Sequence, residues 1–493
     1  MCMGSAVTAV GTARLNYFLN AVGLNKVSTR TFHRHKTDYL LPAVTQVFTK
    51  CQEGVFERLK DRLNKGEKLQ VAGDGSFDTR GYSAEWCRYF LVDANTGEAL
   101  VYVLMNKKET GSSGTLEVAC LEKALDILAQ KIGGVHNISI LVTDRHSSVI
   151  KMMKAKFPSI NHYFDPWHFY RNLTLNLLKI TKCSYMAQVK HTWTRTLINK
   201  AYDAVVRAQG DGVLASEMFR SSLLCCAGIH DFSRDPSFTK FKRCLHAPPP
   251  PNFPYLQKDG RAYKRLQSVI FTDKNIEDIK SVSWLLKTST CESLNSIAWK
   301  YAPKDMYFDR KGHELRTMMS ILHWNELKKD EQDGTRVITG KKGHYNNTLK
   351  KNVYRNVKTP ARNEWRSAVK AACYERRASL SLTPYGKIKV EKEEQLKNQV
   401  FWNQLNTPIV SHPSDTNLEE SEDEDDLPSL SQINGGQDPL QSISSSFAAS
   451  EVLRVLLRPE SFEERQRRSA NCAHPCPSLA RCAAPQRIQP LAC

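Results

Sequence analysis

The chain has 493 residues, enough for two to four domains and at least one large buried core. Hydrophobic residues make up 41%, and no run of about 18 apolar residues occurs, so nothing in it reads as a membrane span. Net charge is +19, from 70 Lys and Arg against 51 Asp and Glu, which points to a polyanionic partner because Lys and Arg displace the counterions condensed on a phosphate backbone.

Fourteen cysteines in a chain this long do not make a disulfide framework. Cys87, Cys120, Cys225 and Cys226 sit beside apolar residues, as reduced core thiols do. A reducing compartment is expected, nucleus or cytosol. The opening MCMGSAVTAVGTARLNYF has no basic leader followed by a long apolar stretch, so a secretory signal is not expected.

Residues 1–62 read as helical. Two short helical patterns within Leu15–Leu40 are split by Gly23-Leu24-Asn25-Lys26, and Ser28 or Thr29 suits the cap of the second, TRTFHRHKTDYL. Arg30, His33, Arg34, His35 and Lys36 make that helix basic. The shape suits a helix-turn-helix whose second helix enters a DNA groove. Two ordinary helices with a solvated basic face are the other reading.

Residues 63–180 alternate in a definite order. EKLQVAGDGSF is a short strand entering a glycine-containing turn, and Trp86–Val92 and Leu100–Met105 are apolar strands joined by the turn DANTGE. Leu116–Ile132 has helical periodicity, with Leu121, Leu125 and Leu128 on one face. Ile138–Val142 is a buried strand, Ser147 or Ser148 caps a helix to about Phe157, Ile160–Phe164 is another strand, and Pro166 begins a helix. The order is βββαβαβα. Residues 181–285 read as helix and loop, interrupted by Pro248–Pro251. Residues 286–330 hold one or two helices broken near Pro303. Residues 331–407 are expected to be a basic helical extension. Within it, 336–389 hold fourteen Lys or Arg against two acids, with Tyr354, Trp365 and Tyr374 interleaved. That stretch either neutralises phosphates and stacks on bases or is a solvated face. From 408 to 493 the composition shifts to Ser, Asp, Glu, Pro and Gly, including the acidic run Glu419–Asp426, and disorder is expected.

Four segments in this order resemble the catalytic segments of cut-and-paste DNA transposases. VAGDGSFDTRGYSA resembles their first catalytic strand, an Asp-Gly pair followed by a second Asp and a Gly. ISILVTDRHSS resembles the strand that ends in the second catalytic Asp, and FDPWH resembles the Asp-x-x-His signature that follows it. TSTCESLNSIAWKYAPKDMYF resembles the segment that carries the catalytic Glu, with a Pro-Lys pair downstream. The Kolobok and Mutator-like groups are the nearest, and the resemblance covers roughly residues 28–330. It implies an α/β fold: an RNase H-like mixed sheet closed by a C-terminal catalytic helix and interrupted by a mostly helical insertion that contacts DNA ends. It also implies catalysis by Asp74, Asp144 and Glu292, support from Asp165, His168 and Trp167, and DNA contacts from Lys304. The partners implied are the transposon's terminal inverted repeats and target DNA, with at least a homodimer to hold two ends, in the nucleus.

The residues support the same carboxylates independently. Asp74 follows Leu69-Gln70-Val71 and Asp144 follows Ile140-Leu141-Val142, and a strand C-terminus is where a carboxylate can project into a crevice. Paired anions repel unless cations neutralise them, and Mg²⁺ or Mn²⁺ prefers carboxylate oxygen. Glu292 opens a helix whose Leu294, Ile297 and Ala298 face a core. Against this, an Asp after a strand is often a turn former, and Asp78 rivals Asp74. Glu117 reads as a first-turn acid favoured by the helix dipole. Asp165 and His168, three apart at a helix start, are either active-site support or a capping Asp with a satisfied His. Trp167 is either a stacking platform or core.

Cys226, His230, Cys244 and His246 form CxxxH and CxH pairs, which suit tetrahedral zinc although the spacing matches no standard finger. Cys472, Cys476, Cys482 and Cys493 with His474 are a second, tail-borne set. The functions left open are an active transposase, a catalytically inactive DNA-binding or scaffold protein derived from one, and an RNase H-like nuclease acting on other nucleic acids. The chain shows no N-terminal zinc finger of the kind many such transposases carry, so the helix-turn-helix is expected to recognise the ends unless the chain is incomplete at its start.

Overall fold

Helices precede the sheet. The computed structural model describes residues 1–79, 84–247, 249–250, 252–304, 306–346 and 351–381. Helices α1 (Cys2–Thr8) and α2 (Thr12–Ala21) lead to α3 (Thr29–His35), which Ser28 caps by accepting the Thr31 N–H at 3.1 Å. A single π-helical turn, Lys36–Leu40, runs directly into α4 (Leu41–Asn64), with Pro42 in the first turn, where its missing N–H is not needed. The expected segment TRTFHRHKTDYL is therefore the start of one long helical run. Helix α4 buries Val44 and Phe48 in one core and Val55, Phe56 and Leu59 in another, so residues 1–62 are built into the main body.

Next come β1 (Leu69–Phe77), β2 (Trp86–Asp93) and β3 (Ala99–Asn106), a short α5 (Lys107–Thr110), α6 (Ser113–Ile132), β4 (Ile138–Thr143), α7 (Ser147–Lys156), β5 (Asn161–Phe164) and α8 (Pro166–Ile180). This is the expected alternation with one extra helical turn. The five strands form one mixed sheet in the order β3-β2-β1-β4-β5. Strands β1, β2 and β3 pair antiparallel, whereas β4 pairs parallel with β1, and β5 parallel with β4. Parallel neighbours need a crossover, and α6 and α7 supply the two of them.

Residues 181–285 contain α9 (Thr194–Ala208), α10 (Gly212–Cys226), α11 (Arg261–Val269) and α12 (Asp273–Asp278), which with α8 enclose a core of their own around Trp193, Phe219 and Phe232. The chain then returns to the sheet as α13 (Ser289–Tyr301) and α14 (Arg310–Gln332). Beyond α14 the expected helical extension is instead a hairpin, β6 (Ile338–Asn346) and β7 (Lys351–Lys358), followed by α15 (Glu364–Ser381). Nearly every hairpin residue is exposed, so neither strand shows the apolar alternation by which strands are recognised. The expectations for residues 382–407, for the tail 408–493 and for its cysteines lie outside the described residues.

Alternate residues of the sheet face two different cores. Val71, Tyr89, Leu91, Val101 and Val103 pack with α6 and α7, while Ala72, Phe90, Val92 and Tyr102 pack with α4, α13 and α14. Every residue of β2 is buried, as expected for a strand covered on both faces. The two glycines beside Asp74 answer to close packing. A Cβ on Gly73 would stand 2.8 Å from Tyr89 Oη and 3.1 Å from Leu91 Cδ2, and one on Gly75 would stand 3.2 Å from Glu117 Cγ. Because Tyr89 and Leu91 are fully buried, Gly73→Ala must push a packed neighbour; a loss of about 2 kcal/mol is expected in denaturant unfolding, and a neutral result would mean that this face is loosely packed.

Candidate functional site

The parallel pairing of β1 and β4 decides where the first two carboxylates lie. Ala72 is opposite Val142, so Asp74 and Asp144 each follow two residues beyond the same rung. Strand β4 ends at Thr143, which puts Asp144 at the strand's C-terminus, while β1 continues to Phe77. The third carboxylate arrives by a different route. Phe164, at the end of β5, makes a parallel bridge to Val282, and its carbonyl accepts the Ser283 N–H at 3.0 Å. The chain leaving the insertion is thereby laid along the sheet edge, and α13 starts from there with Glu292 in its first turn. Helix α13 is seated by Leu294 and Ala298, both fully buried. One turn after Glu292, the Asn295 amide donates to Asp74 Oδ2 at 2.9 Å, and the Trp299 indole donates to Ser76 Oγ at 2.8 Å. Residues far apart in sequence are thus brought together over the end of β1.

The electrostatics of this cluster are those of crowded anions. Burial, then the neighbouring Asp144, pushes the Asp74 carboxyl up to about 7; the Asn295 bond works in the opposite direction, and Glu117 and Glu292 add to the rise. Glu117, from the first turns of α6, lies against Gly75. Its carboxyl is also raised, chiefly by burial, with His146 opposing and Asp144 contributing. Asp74, Glu117 and Asp144 are half-buried and Glu292 is exposed, and among the described residues the grouping of three or more ligand side chains close enough to hold a metal ion occurs at four Cys and His residues rather than at these carboxylates.

Asp165 takes the capping role read from the sequence, with His168 bonded beside it. Asp165 caps α8, accepting the His168 N–H at 3.1 Å, and its other oxygen accepts the Thr288 N–H at 2.8 Å. One fully buried carboxylate therefore joins the start of α8 to the start of α13. The His168 ring places Nδ1 3.0 Å from Asp144 Oδ1 and 3.3 Å from Asp165 Oδ1. Burial opposes the charge on His168, but the two carboxylates outweigh it and hold its pKa up at about 10, so it is an imidazolium at neutral pH. Asp165 is held below the usual carboxylate range: burial opposes this, and the His168 and Thr288 bonds prevail. Trp167 is half-buried beside them, edge-on to His168, with the Arg171 guanidinium 5.5 Å from its ring centre. Arg145, next to Asp144, pairs with Asp278 of α12 at 2.6 Å, tying the insertion to the same strand end.

The remaining predicted residues lie elsewhere. Asp78 shapes the end of the β1–β2 pairing, its Oδ1 accepting the Glu85 N–H at 3.1 Å. Lys304 stands over the Trp299 ring at 4.4 Å, next to β1 rather than on a separate surface. Arg30, His33 and Arg34 are exposed on α3. Lys36 falls in the π-helical turn, is half-buried, and sits 3.9 Å from Asp309.

The Cys/His expectation needs one correction. His230, Cys244 and His246 do converge, but the fourth member is Cys225, with all four ligand atoms within 4.8 Å of one another. Adjacent residues on a helix point about 100° apart, and at the end of α10 it is Cys226 that turns into the apolar core, with no exposure at all. This cluster can hold a metal ion.

The sequence does not single out Asn295, and it offers Thr288 only as a side-chain cap of α13, where the structure shows no side-chain cap bond. Asn295 was within reach, since it lies three residues after Glu292 on the same helical face. Thr288 contributes only its backbone N–H, which no residue type announces. No protein-family model matches this chain, and no curated protein is significantly similar to it.

Proposed function

We propose that this protein is a DNA transposase with an RNase H-like core, acting through Asp74, Asp144 and Glu292. The observation that carries the reading is Asp74, on β1 beside the end of β4: burial first and the neighbouring Asp144 next, with smaller contributions from Glu117 and from Glu292 of α13, raise its carboxyl to about 7. Buried like charges are costly, and structural sites avoid them unless something binds there. Mg²⁺ or Mn²⁺ held by these three carboxylates would supply an activated water and stabilise the leaving 3′-oxygen. The chain's own contribution is positioning. Asn295 orients Asp74, His168 orients Asp144, and Asp165 fixes the helix that delivers Glu292 relative to the helix that carries His168. In the proposed reaction, water attacks a phosphorus at a transposon end, the P–O3′ bond breaks, and the freed 3′-hydroxyl then displaces a 3′-oxygen in target DNA. Two ends must be held together, so a dimer or larger assembly in the nucleus is part of the proposal.

The test is cleavage and strand transfer on a plasmid carrying the inverted repeats that flank the coding sequence. Activity is expected with Mg²⁺ or Mn²⁺, absent in EDTA, and absent in Asp144→Ala. Cleavage unchanged in that variant would defeat the assignment of the site. Wild-type binding without any cleavage would point instead to an inactive, transposase-derived DNA-binding protein.

The exposed hairpin supports the DNA partner. Lys342 faces Arg355 across it, with Lys341 and Lys351 nearby and Tyr345 and Tyr354 exposed. A two-stranded ribbon is only marginally stable alone, and this one is anchored at its base, where the Lys358 ammonium meets Glu331 at 2.5 Å. If the ribbon lies on phosphates, Lys342→Ala with Arg355→Ala should weaken binding and flatten the slope of log K against log salt by about 2, roughly one unit per lost contact. An unchanged slope would remove the hairpin from the interface.

A further inference from the structure

We propose that Cys225, His230, Cys244 and His246 form a tetrahedral zinc site that fastens the helical insertion. Between α10 and α11 the described chain contains no regular helix or strand, only a single bridge between Asp231 and Arg243. That bridge sets two ligands opposite each other. The Cys244 N–H donates to the His230 carbonyl at 2.9 Å and the Phe232 N–H to the Lys242 carbonyl at 2.7 Å. Cys225 comes from the last turn of α10, and the Leu256 N–H donates to the neighbouring Cys226 carbonyl at 2.7 Å, so the far end of the loop returns to the same place.

The two imidazoles are oriented as zinc ligands are. A ligating histidine usually gives its second ring nitrogen to a polar neighbour, which fixes the ring and leaves a lone pair for the metal. His246 has Nδ1 2.8 Å from the Ala247 carbonyl, a pure acceptor, so that Nδ1 carries the proton and Nε2 is left as a base. That Nε2 is 3.3 Å from Cys225 Sγ, its partner in the cluster. His230 has Nε2 3.0 Å from the Tyr255 hydroxyl, while its Nδ1 is buried without a hydrogen-bond partner. An unpartnered buried ring nitrogen is costly unless something binds it, and its residue is one of the four in the cluster. The rings stand 5.0 Å apart and nearly perpendicular, at 85°. Zinc bonds of about 2.3 Å to sulfur and about 2.0 Å to nitrogen separate tetrahedral ligands by roughly 3.3–3.8 Å, so the ligand spread needs only a small contraction. Two thiolates and two neutral imidazoles leave the site without net charge. All four positions are taken by protein, which is the pattern of a structural rather than a catalytic zinc.

The experiment is metal analysis of full-length protein purified under reducing conditions, with cobalt substitution as the spectroscopic probe. One zinc per chain is expected, and the cobalt form should show thiolate-to-cobalt charge transfer with tetrahedral visible bands. His246 is exposed, so His246→Ala opens no core cavity; it should weaken zinc retention at least roughly tenfold against a competing chelator. Cys244→Ser should reduce the charge-transfer band, whereas Cys226→Ala should retain both zinc and spectrum. Asp144→Ala should also retain them, which separates this site from the carboxylate cluster. Absence of a thiolate–cobalt band, or a band and zinc content unchanged in both His246→Ala and Cys244→Ser, would overturn the proposal. If a variant does not fold, a zinc-selective chelator applied to the wild-type protein in excess Mg²⁺ still decides: the unfolding temperature should fall, and an unchanged temperature after the zinc is removed would overturn the proposal.

Discussion

Asp144→Asn is expected to lower metal-dependent strand cleavage by about a thousandfold or more, equivalent to roughly 4 kcal/mol of lost transition-state stabilisation. The substitution keeps the size of the side chain and removes its charge. It therefore leaves β4 and its pairing intact but withdraws one anionic oxygen donor from beside Asp74. DNA affinity should move the other way. Removing a negative charge from a surface that meets phosphate makes binding equal or tighter, so the variant should bind without cutting. That opposition of signs separates a lost metal ligand from a misfolded protein, which would lose both. Glu292→Gln is expected to behave in the same way. Asp78→Asn is the control, because Asp78 spends its carboxylate on the Glu85 backbone at the end of a strand pair, and its cleavage rate should stay within about twofold. Loss of cleavage in Asp78→Asn with retention in Asp144→Asn would reverse the assignment.

How much of this site was legible follows from which interactions are local. The strands that carry Asp74 and lead into Asp144 are readable because Leu69-Gln70-Val71 and Ile140-Leu141-Val142 are short apolar runs, although the turn expected at Gly73–Gly75 is instead continued strand to Phe77. That the two strands are parallel neighbours is a long-range fact, and it entered only through the order of elements. Glu117 shows the limit: the sequence reads it as a first-turn acid favoured by the helix dipole, but it lies beyond the first turn of α6, and only the register of β1 under that helix shows that Gly75 faces it. The choice between Cys225 and Cys226 turned on about 100° of helix phase at the last turn of α10, where a Cys-Cys pair gives no periodic signal. Hairpin β6–β7 reads as a helical extension in the sequence for a related reason. Strands are recognised by the face they bury, and this one buries almost none.

The burial and neighbouring carboxylates that raise Asp74 should make it a liability in the metal-free protein, and Asp74→Asn should stabilise it. Burial and the neighbouring carboxylates raise the folded-state value to about 7, while the unfolded chain keeps an ordinary carboxylate. Between those values the folded form holds a proton that the unfolded form has released, so stability falls as pH rises, and the full cost is present above about pH 7. The Asn295 bond survives the substitution, because the new amide oxygen can still accept it. Allowing for partial solvent access, the gain at pH 8 in EDTA should be about 2 kcal/mol, seen as a higher unfolding temperature, and it should shrink toward zero below about pH 4. Mg²⁺ should reverse the ranking. It binds only the folded wild-type site, so it raises the wild-type unfolding temperature by mass action, and more at pH 8 than at pH 5.5, while leaving Asp74→Asn nearly unmoved. If Asp74→Asn is less stable than wild type in EDTA at pH 8, or if Mg²⁺ stabilises both equally, then Asp74 is not a carboxylate held in a repulsive cluster, and the case for metal binding at the end of β1 fails with it.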